Sequence, residues 1–216
     1  MSVNLRIVDN ELRLVEPFDV SFFGDAEKRR IEGITNAKRK GESVAALRVL
    51  KELLPINAER EISRDENGRP SFCGKKDEDF NISHSASLTA VAYVNKKGCR
   101  VGIDIEEIKE GRDEKLYRIA ERYFTEKEKA LLEKGESSRG FYKIWTAKEA
   151  KAKMLGIGLS KMLSSENDSK KEDEIPLFFS HHLVTYREKV YVMTICTNEN
   201  CRVEFVCDKE IYISNF

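Results

Sequence analysis

The chain has 216 residues, 38 of them basic and 38 acidic, so its formal net charge at pH 7 is zero. With 40% hydrophobic and 35% charged residues, it has the makeup of a globular protein with a heavily charged surface, which excludes collagen-like, coiled-coil and disordered classes. A neutral total gives no global attraction to nucleic acid, so any polyanionic ligand must be met by a local basic cluster.

Residues 3 to 15 alternate loosely around Asp9-Asn10, which predicts a short edge hairpin or strand pair. From Asp25 to Leu54 the apolar residues recur at helical spacing, predicting two helices broken near Gly41, the second stopped by Pro55. Asp65 to Pro70 is dense in turn residues and predicts a loop. Phe80 to Ile82 reads as a short strand and Leu88 to Val94 as a buried one, ending at the turn signal Asn95-Lys96-Lys97-Gly98. In the partner run, Arg100 to Ile105, Val101, Ile103 and Ile105 take one face and Gly102, Asp104 and Glu106 the other. Thr125-Glu126-Lys127-Glu128 fits a capping box opening a helix through Leu132. A second amphipathic helix runs from Phe141 to Leu155 and ends at Gly156-Ile157-Gly158. Ser164 to Glu174 is polar and predicts an exposed loop. Three β-rich runs, 178–183, 190–197 and 203–207, predict a closing antiparallel sheet. Helices and strands mix on both sides of a midpoint near residue 100, so the pattern predicts a two-lobed α+β chain.

No run of eighteen apolar residues occurs and the start shows no signal-peptide pattern, so a cytoplasmic location is expected. The five cysteines, Cys73, Cys99, Cys196, Cys201 and Cys207, are odd in number and lack C-x-x-C spacing. Reduced thiols are expected rather than a disulfide framework or structural zinc. Cys196 and Cys201 flank a turn as a cross-strand pair would.

Asp104 and Glu106, two apart on a strand, would present two carboxylates to one face. Their repulsion is relieved if a hard divalent cation sits between them, and Gly102 on that face leaves room for a ligand. Alone, such a pair is more often a solvated strand end. Trp145, Glu149 and Lys153 lie along one helical stripe with Lys148 about 100° around. Glu149 would add a third carboxylate, and Lys148 and Lys153 could neutralise phosphate oxygens; alone, these too match an ordinary exposed Glu-Lys pair. His84, between Ser83 and Ser85, could donate to a phosphate or cap a turn. Lys38-Arg39-Lys40 is either a solvated helix face or a phosphate monoester site.

The order of these segments is more specific than any one of them. Gly68-Arg69-Pro70, Phe80-Asn81-Ile82-Ser83-His84-Ser85, Val101-Gly102-Ile103-Asp104-Ile105-Glu106, then Phe141 to Ala150 with Lys153 and Gly156-Ile157-Gly158-Leu159 closely resemble the 4′-phosphopantetheinyl transferase superfamily. Length and motif spacing resemble its larger, Sfp-type branch. The resemblance implies an α+β pseudo-dimer with the active site in the cleft between two lobes, residues 1–100 on the coenzyme A side and residues 101–216 on the metal-binding side. It implies Mg²⁺-dependent transfer of the 4′-phosphopantetheine arm of coenzyme A to a serine of an apo acyl or peptidyl carrier protein, releasing adenosine 3′,5′-bisphosphate. By position, Asp104, Glu106 and Glu149 look like the metal ligands, with Glu149 and Lys153 as the catalytic pair. Lys148 and Lys153 resemble pyrophosphate contacts, Gly68, Arg69 and Pro70 the segment beside adenine, and Ser83 with His84 the group near the 3′-phosphate. Arg30 and Lys38 are the best matches to the remaining basic 3′-phosphate contacts. Arg69 stands where the family often has Lys, and Ala86 where Gly is frequent. A monomer with no nucleic acid or membrane partner is implied, serving fatty-acid, polyketide or nonribosomal peptide synthesis. The alternatives are another Mg²⁺-dependent phosphohydrolase acting on nucleotides, or a non-catalytic binder of coenzyme A or carrier proteins.

Overall fold

The computed structural model describes residues 2–10, 18–56, 58–111, 113–132, 137–159, 162 and 175–216. Alternation buries Val3, Leu5 and Ile7 of β1 (Ser2–Asp9) completely. β1 is an interior strand, not the expected edge. It runs antiparallel to β5 (Leu88–Asn95) on one side and parallel to β9 (Arg202–Cys207) on the other. With β4 (Glu78–Ser85) outside β5, the first sheet has the order β4-β5-β1-β9. The expected strand partner at 11–15 lies outside the described residues.

Two helices follow β1, α1 (Asp25–Glu32) and α2 (Ala37–Leu53). The break between them falls at 33–36, and Gly41 is buried inside α2. Asn36 sets the start: its side chain accepts from the Arg39 N–H at 2.9 Å. Such a cap is worth about 1 kcal/mol, enough to offset one interior glycine. Short strands β2 (Ile62–Arg64) and β3 (Pro70–Phe72) pair around the predicted loop.

The turn after β5 does not close a hairpin. β6 (Val101–Glu107) instead pairs with β8 (Lys189–Thr197) in a second sheet of order β10-β7-β8-β6, with β7 (Phe178–Tyr186) and β10 (Tyr212–Asn215). A turn signal specifies a reversal, not a partner. The closing sheet is antiparallel in β7, β8 and β10, whereas β9 crosses to the first sheet. β10 and α3 (Asp113–Tyr123) had no counterpart in the sequence pattern. In α4 (Glu126–Leu132) the capping box forms as predicted. Glu128 Oε2 accepts from the Thr125 N–H at 2.7 Å, and Thr125 Oγ1 accepts from the Glu128 N–H at 3.3 Å. α5 (Ser137–Leu155) ends at Gly156, whose φ of 72° is left-handed. The predicted loop at 164–174 lies outside the described residues.

The layers run helix, sheet, sheet, helix. Val3, Leu5, Ile7, Ile103, Ile105 and Met193 belong to one core between the sheets. α1 and α2 close the outer face of the first sheet through Ile31, Leu47 and Leu50. α5 packs on β6 and β8, where Ala150 and Met154 meet Cys196. Cys201 sits 3.8 Å from Cys99 rather than beside Cys196, and all five thiols are free. Among the described residues no helix is long and apolar enough to cross a membrane.

Candidate active site

β4 and β6 are edge strands of different sheets, and side chains join them. Asp79 Oδ2, Asn81 Oδ1, Ser83 Oγ and Ser85 Oγ accept from the backbone N–H of Val101, Ile103, Ile105 and Glu107, at 2.9, 3.1, 3.3 and 2.9 Å. Period-two alternation puts these four oxygens in one row. A buried strand edge with unpaired amides would be costly, and this ladder satisfies it.

The ladder sets the carboxylates in place. Asp104 is 2% exposed. Its Oδ1 accepts from Lys153 Nζ at 2.6 Å and from the Ser83 hydroxyl at 2.9 Å, while Oδ2 has no hydrogen-bond partner among the described residues. The Ser83 oxygen also accepts from Lys153 Nζ at 3.0 Å. Glu106 Oε2 accepts from the Ser85 hydroxyl at 3.2 Å. Burial, and then the charge of Asp104, push the Glu106 carboxyl up to about 7. The same two causes raise Glu149. Burial pushes the Lys153 ammonium down, but Asp104, Glu149 and Glu106 outweigh it and hold the group above the ordinary lysine value. Three carboxylates thus share one lysine, a local deficit of positive charge.

Among the described residues no three His, Cys, Asp or Glu side chains are close enough to form a preassembled metal centre. The donor set still suits a hard divalent ion: it is all oxygen, mutually repelling, and offers an orphaned Oδ2 on Asp104. Gly102 does not make room for a ligand. A Cβ there would lie 2.0 Å from the Ala150 carbonyl oxygen, so the glycine admits α5, which carries Glu149 and Lys153.

Lys153 also lines a cavity of about 310 Å³ between α1, α2, β4 and the end of α5. Its polar wall holds Arg30, Arg64 and His84; Ala46, Leu47 and Ile157 supply an apolar side. A neighbouring cavity of about 380 Å³ shares Arg30, Ser43 and His84 with it and adds Arg39. Buried Glu27 accepts from Arg30 at 2.7 Å and Arg64 at 3.0 Å, bracing both guanidinium groups. Burial raises its carboxyl, but hydrogen bonds from these two arginines hold it below the usual value. His84 Nδ1 lies 2.8 Å from Thr89 Oγ1, and burial followed by Lys153 lowers its imidazole to about 4.

The residues singled out from the sequence therefore fall into groups. Asp104, Glu106, Glu149 and Lys153 come together, and Arg30, Gly68, Arg69, Pro70 and His84 line the adjoining cavity. Arg69 is engaged by the protein itself: Nη2 donates to Asp79 at 2.6 Å and Nε to the Lys153 carbonyl at 2.7 Å. Lys38 is outside both cavities, 3.8 Å from Glu42. Lys148 is also outside them, 3.1 Å from Glu128 and over the Phe124 ring. Of the basic cluster read as either a solvated face or a phosphate monoester site, Arg39 lines the neighbouring cavity; Arg64 and Ser43 were missed. Asn36 as N-cap was the available signal, because it sets the helical phase that puts Arg39 and Ser43 on one face.

A family model described as the 4′-phosphopantetheinyl transferase superfamily matches residues 100–196. The chain is 32% identical over 209 residues to the 4′-phosphopantetheinyl transferase psf-1 of Bacillus pumilus, covering 91% of this chain and 86% of that one. It is 33% identical over 144 residues to the transferase Sfp of Bacillus subtilis (strain 168), covering 62% and 61%. With the transferase gsp of Aneurinibacillus migulanus it shares 40% over 83 residues, 37% and 32% of the two chains. Likeness running through both sheets and through the acid-bearing strand and helix makes this chain a member of the 4′-phosphopantetheinyl transferase superfamily, in its Sfp-type branch.

Proposed function

We propose that this enzyme transfers the 4′-phosphopantetheine arm of coenzyme A to a serine of an apo acyl or peptidyl carrier protein and releases adenosine 3′,5′-bisphosphate. The observation that carries the reading is a basic cleft, walled by Arg30, Arg64 and His84, that opens through Lys153 onto three carboxylates. Coenzyme A is a polyanion with a flat apolar base, and the cleft offers both chemistries. Arg30, Arg39, Arg64 and His84 hold its phosphates, and the turn at Gly68 and Pro70 with Ile157 forms the wall for the adenine.

Asp104, Glu106 and Glu149 would hold Mg²⁺. When bound, it supplies positive charge that neutralises the diphosphate. Lys153 places its ammonium on the diphosphate oxygens as charge builds there. Glu149, its carboxyl raised by burial and by Asp104, accepts the proton of the carrier serine. The serine oxygen bonds to the β-phosphorus, and the bridging oxygen leaves with the adenosine bisphosphate. The same reading includes a monomeric, cytoplasmic pseudo-dimer whose lobes, 1–100 and 101–216, change over at the turn before β6.

The test is mass spectrometry of apo carriers incubated with coenzyme A and Mg²⁺, where one added arm on serine is expected. Glu149→Gln and Asp104→Ala are each expected to lower turnover by roughly a hundredfold or more while melting stays cooperative. Near-normal turnover in either removes the assignment. Coenzyme A hydrolysis without a carrier would support a phosphohydrolase instead.

A further inference from the structure

We propose that Ser85 is a positioning residue for Glu106, fixing its carboxylate before any ligand arrives; the inference rests on the functional reading above and gives one of its acids a defined support. Ser85 is buried, at 9% exposure. Its oxygen accepts the Glu107 N–H at 2.9 Å, and its single hydroxyl hydrogen goes to Glu106 Oε2 at 3.2 Å. A serine hydroxyl has one hydrogen, so the accepted amide aims the donor at the carboxylate. The backbone of β6 thereby orients the very hydroxyl that holds a side chain of β6.

The arrangement repeats two residues earlier. Ser83 accepts the Ile105 N–H and donates to Asp104, so two serines at i and i+2 of β4 serve two acids at i and i+2 of β6. The acids differ in what else holds them. Asp104 is also gripped by Lys153, whereas the hydrogen bond described for Glu106 is the one from Ser85. Asp104 and Glu149 both repel it. A glutamate also has one more side-chain torsion to fix than an aspartate. Removing the hydroxyl frees the carboxylate to swing away from its like-charged neighbours.

The test is the binding of Mn²⁺, as a stand-in for Mg²⁺, to the protein with coenzyme A present, followed by electron paramagnetic resonance. Ser85→Ala is expected to weaken Mn²⁺ binding roughly tenfold, the usual scale for a hydrogen bond behind a metal ligand. Ser85→Thr, which keeps the hydroxyl, is expected to restore it to within about twofold. At saturating Mn²⁺ the alanine variant is expected to recover its turnover. Mn²⁺ binding by Ser85→Ala close to that of the parent overturns the inference, and so does a threonine variant as weak as the alanine one. A parent protein that binds no Mn²⁺ overturns the metal reading beneath it and this inference together. A Ser85→Ala protein that simply unfolds does not show threonine rescue of Mn²⁺ binding with an unchanged melt, so the pair separates positioning from scaffolding.

Discussion

Thr89 gives its hydroxyl hydrogen to Asn10 Oδ1, so the network assigns the donor role in the His84–Thr89 contact to His84 Nδ1. The neutral ring then has a bare Nε2. Burial and Lys153 hold the imidazole to about 4, so it is neutral at pH 7, and an adjacent phosphate dianion would draw a proton onto it. Binding of coenzyme A is therefore expected to take up a proton near pH 6.5, read by calorimetry in buffers of different ionisation enthalpy. His84→Gln should abolish the uptake; equal heats for the parent in all buffers would remove His84 from the phosphate site. The same shift has a consequence for stability. A histidine lowered from 6.5 to about 4 stabilises the fold above pH 6.5, and that contribution is lost as pH falls toward 4, by at most about 1.4 kcal/mol per pH unit. His84→Gln should flatten that slope. At this scale the acids were legible, because a two-residue strand period and a four-residue helix period are local properties. The bases were less so. Lys38 and Arg39 are adjacent, and which of them faces the cleft depends on where Asn36 starts the helix. Lys148 was drawn aside by Glu128, a partner whose role as a capping residue was visible but whose reach to α5 was not.

Helix α5 carries Glu149 and Lys153, and Gly102 sets how closely it lies on β6. Helix–strand approach this tight needs a residue without Cβ on the strand, since the added atom would sit 2.0 Å from the Ala150 oxygen and 2.6 Å from the Met154 nitrogen. Both obstacles are backbone, so the helix itself must move. Gly102→Ala is expected to cost about 1–3 kcal/mol in urea denaturation and to cut turnover by more than tenfold through displacement of Glu149 and Lys153, the pair proposed above to act on the substrate. An alanine variant with parental stability and turnover would mean that α5 has slack at this crossing. Sequence alternation placed Gly102 on the face of Asp104 and Glu106 correctly, but not what that face meets, because α5 arrives from some forty residues downstream. The same limit applies to the turn after β5. Its residues announce a reversal equally well for a hairpin and for a passage between sheets, and only the partners of β6 decide. β9 is a similar case: its alternation is plain, yet its parallel place beside β1 depends on the other end of the chain.

Joining two sheets through the side chains of one edge strand has consequences for how the whole molecule unfolds. Asp79 is the end of the β4 ladder, and its Oδ2 accepts from both the Val101 N–H and the Arg69 guanidinium. Arg69 in turn holds the carbonyl of Lys153 at the C-terminus of α5, where a cation also complements the helix dipole. One buried carboxylate therefore ties the β2–β3 turn, the first sheet, the second sheet and α5 together. Asp79→Ala leaves the Arg69 charge buried without its carboxylate, which is expected to cost roughly 3–5 kcal/mol. The distribution of that loss is the informative part. The single tryptophan, Trp145, stacks on Phe141 against the second sheet, so its fluorescence follows that half, while far-ultraviolet circular dichroism follows the entire chain. In the parent the two urea transitions are expected to coincide, because the core between the sheets and the ladder are broken in one step. In Asp79→Ala they are expected to separate if the ladder carries the coupling. If both probes instead shift together to a lower midpoint, the shared apolar core alone enforces cooperativity, and the ladder's role is confined to holding β6, with Asp104 and Glu106, against β4.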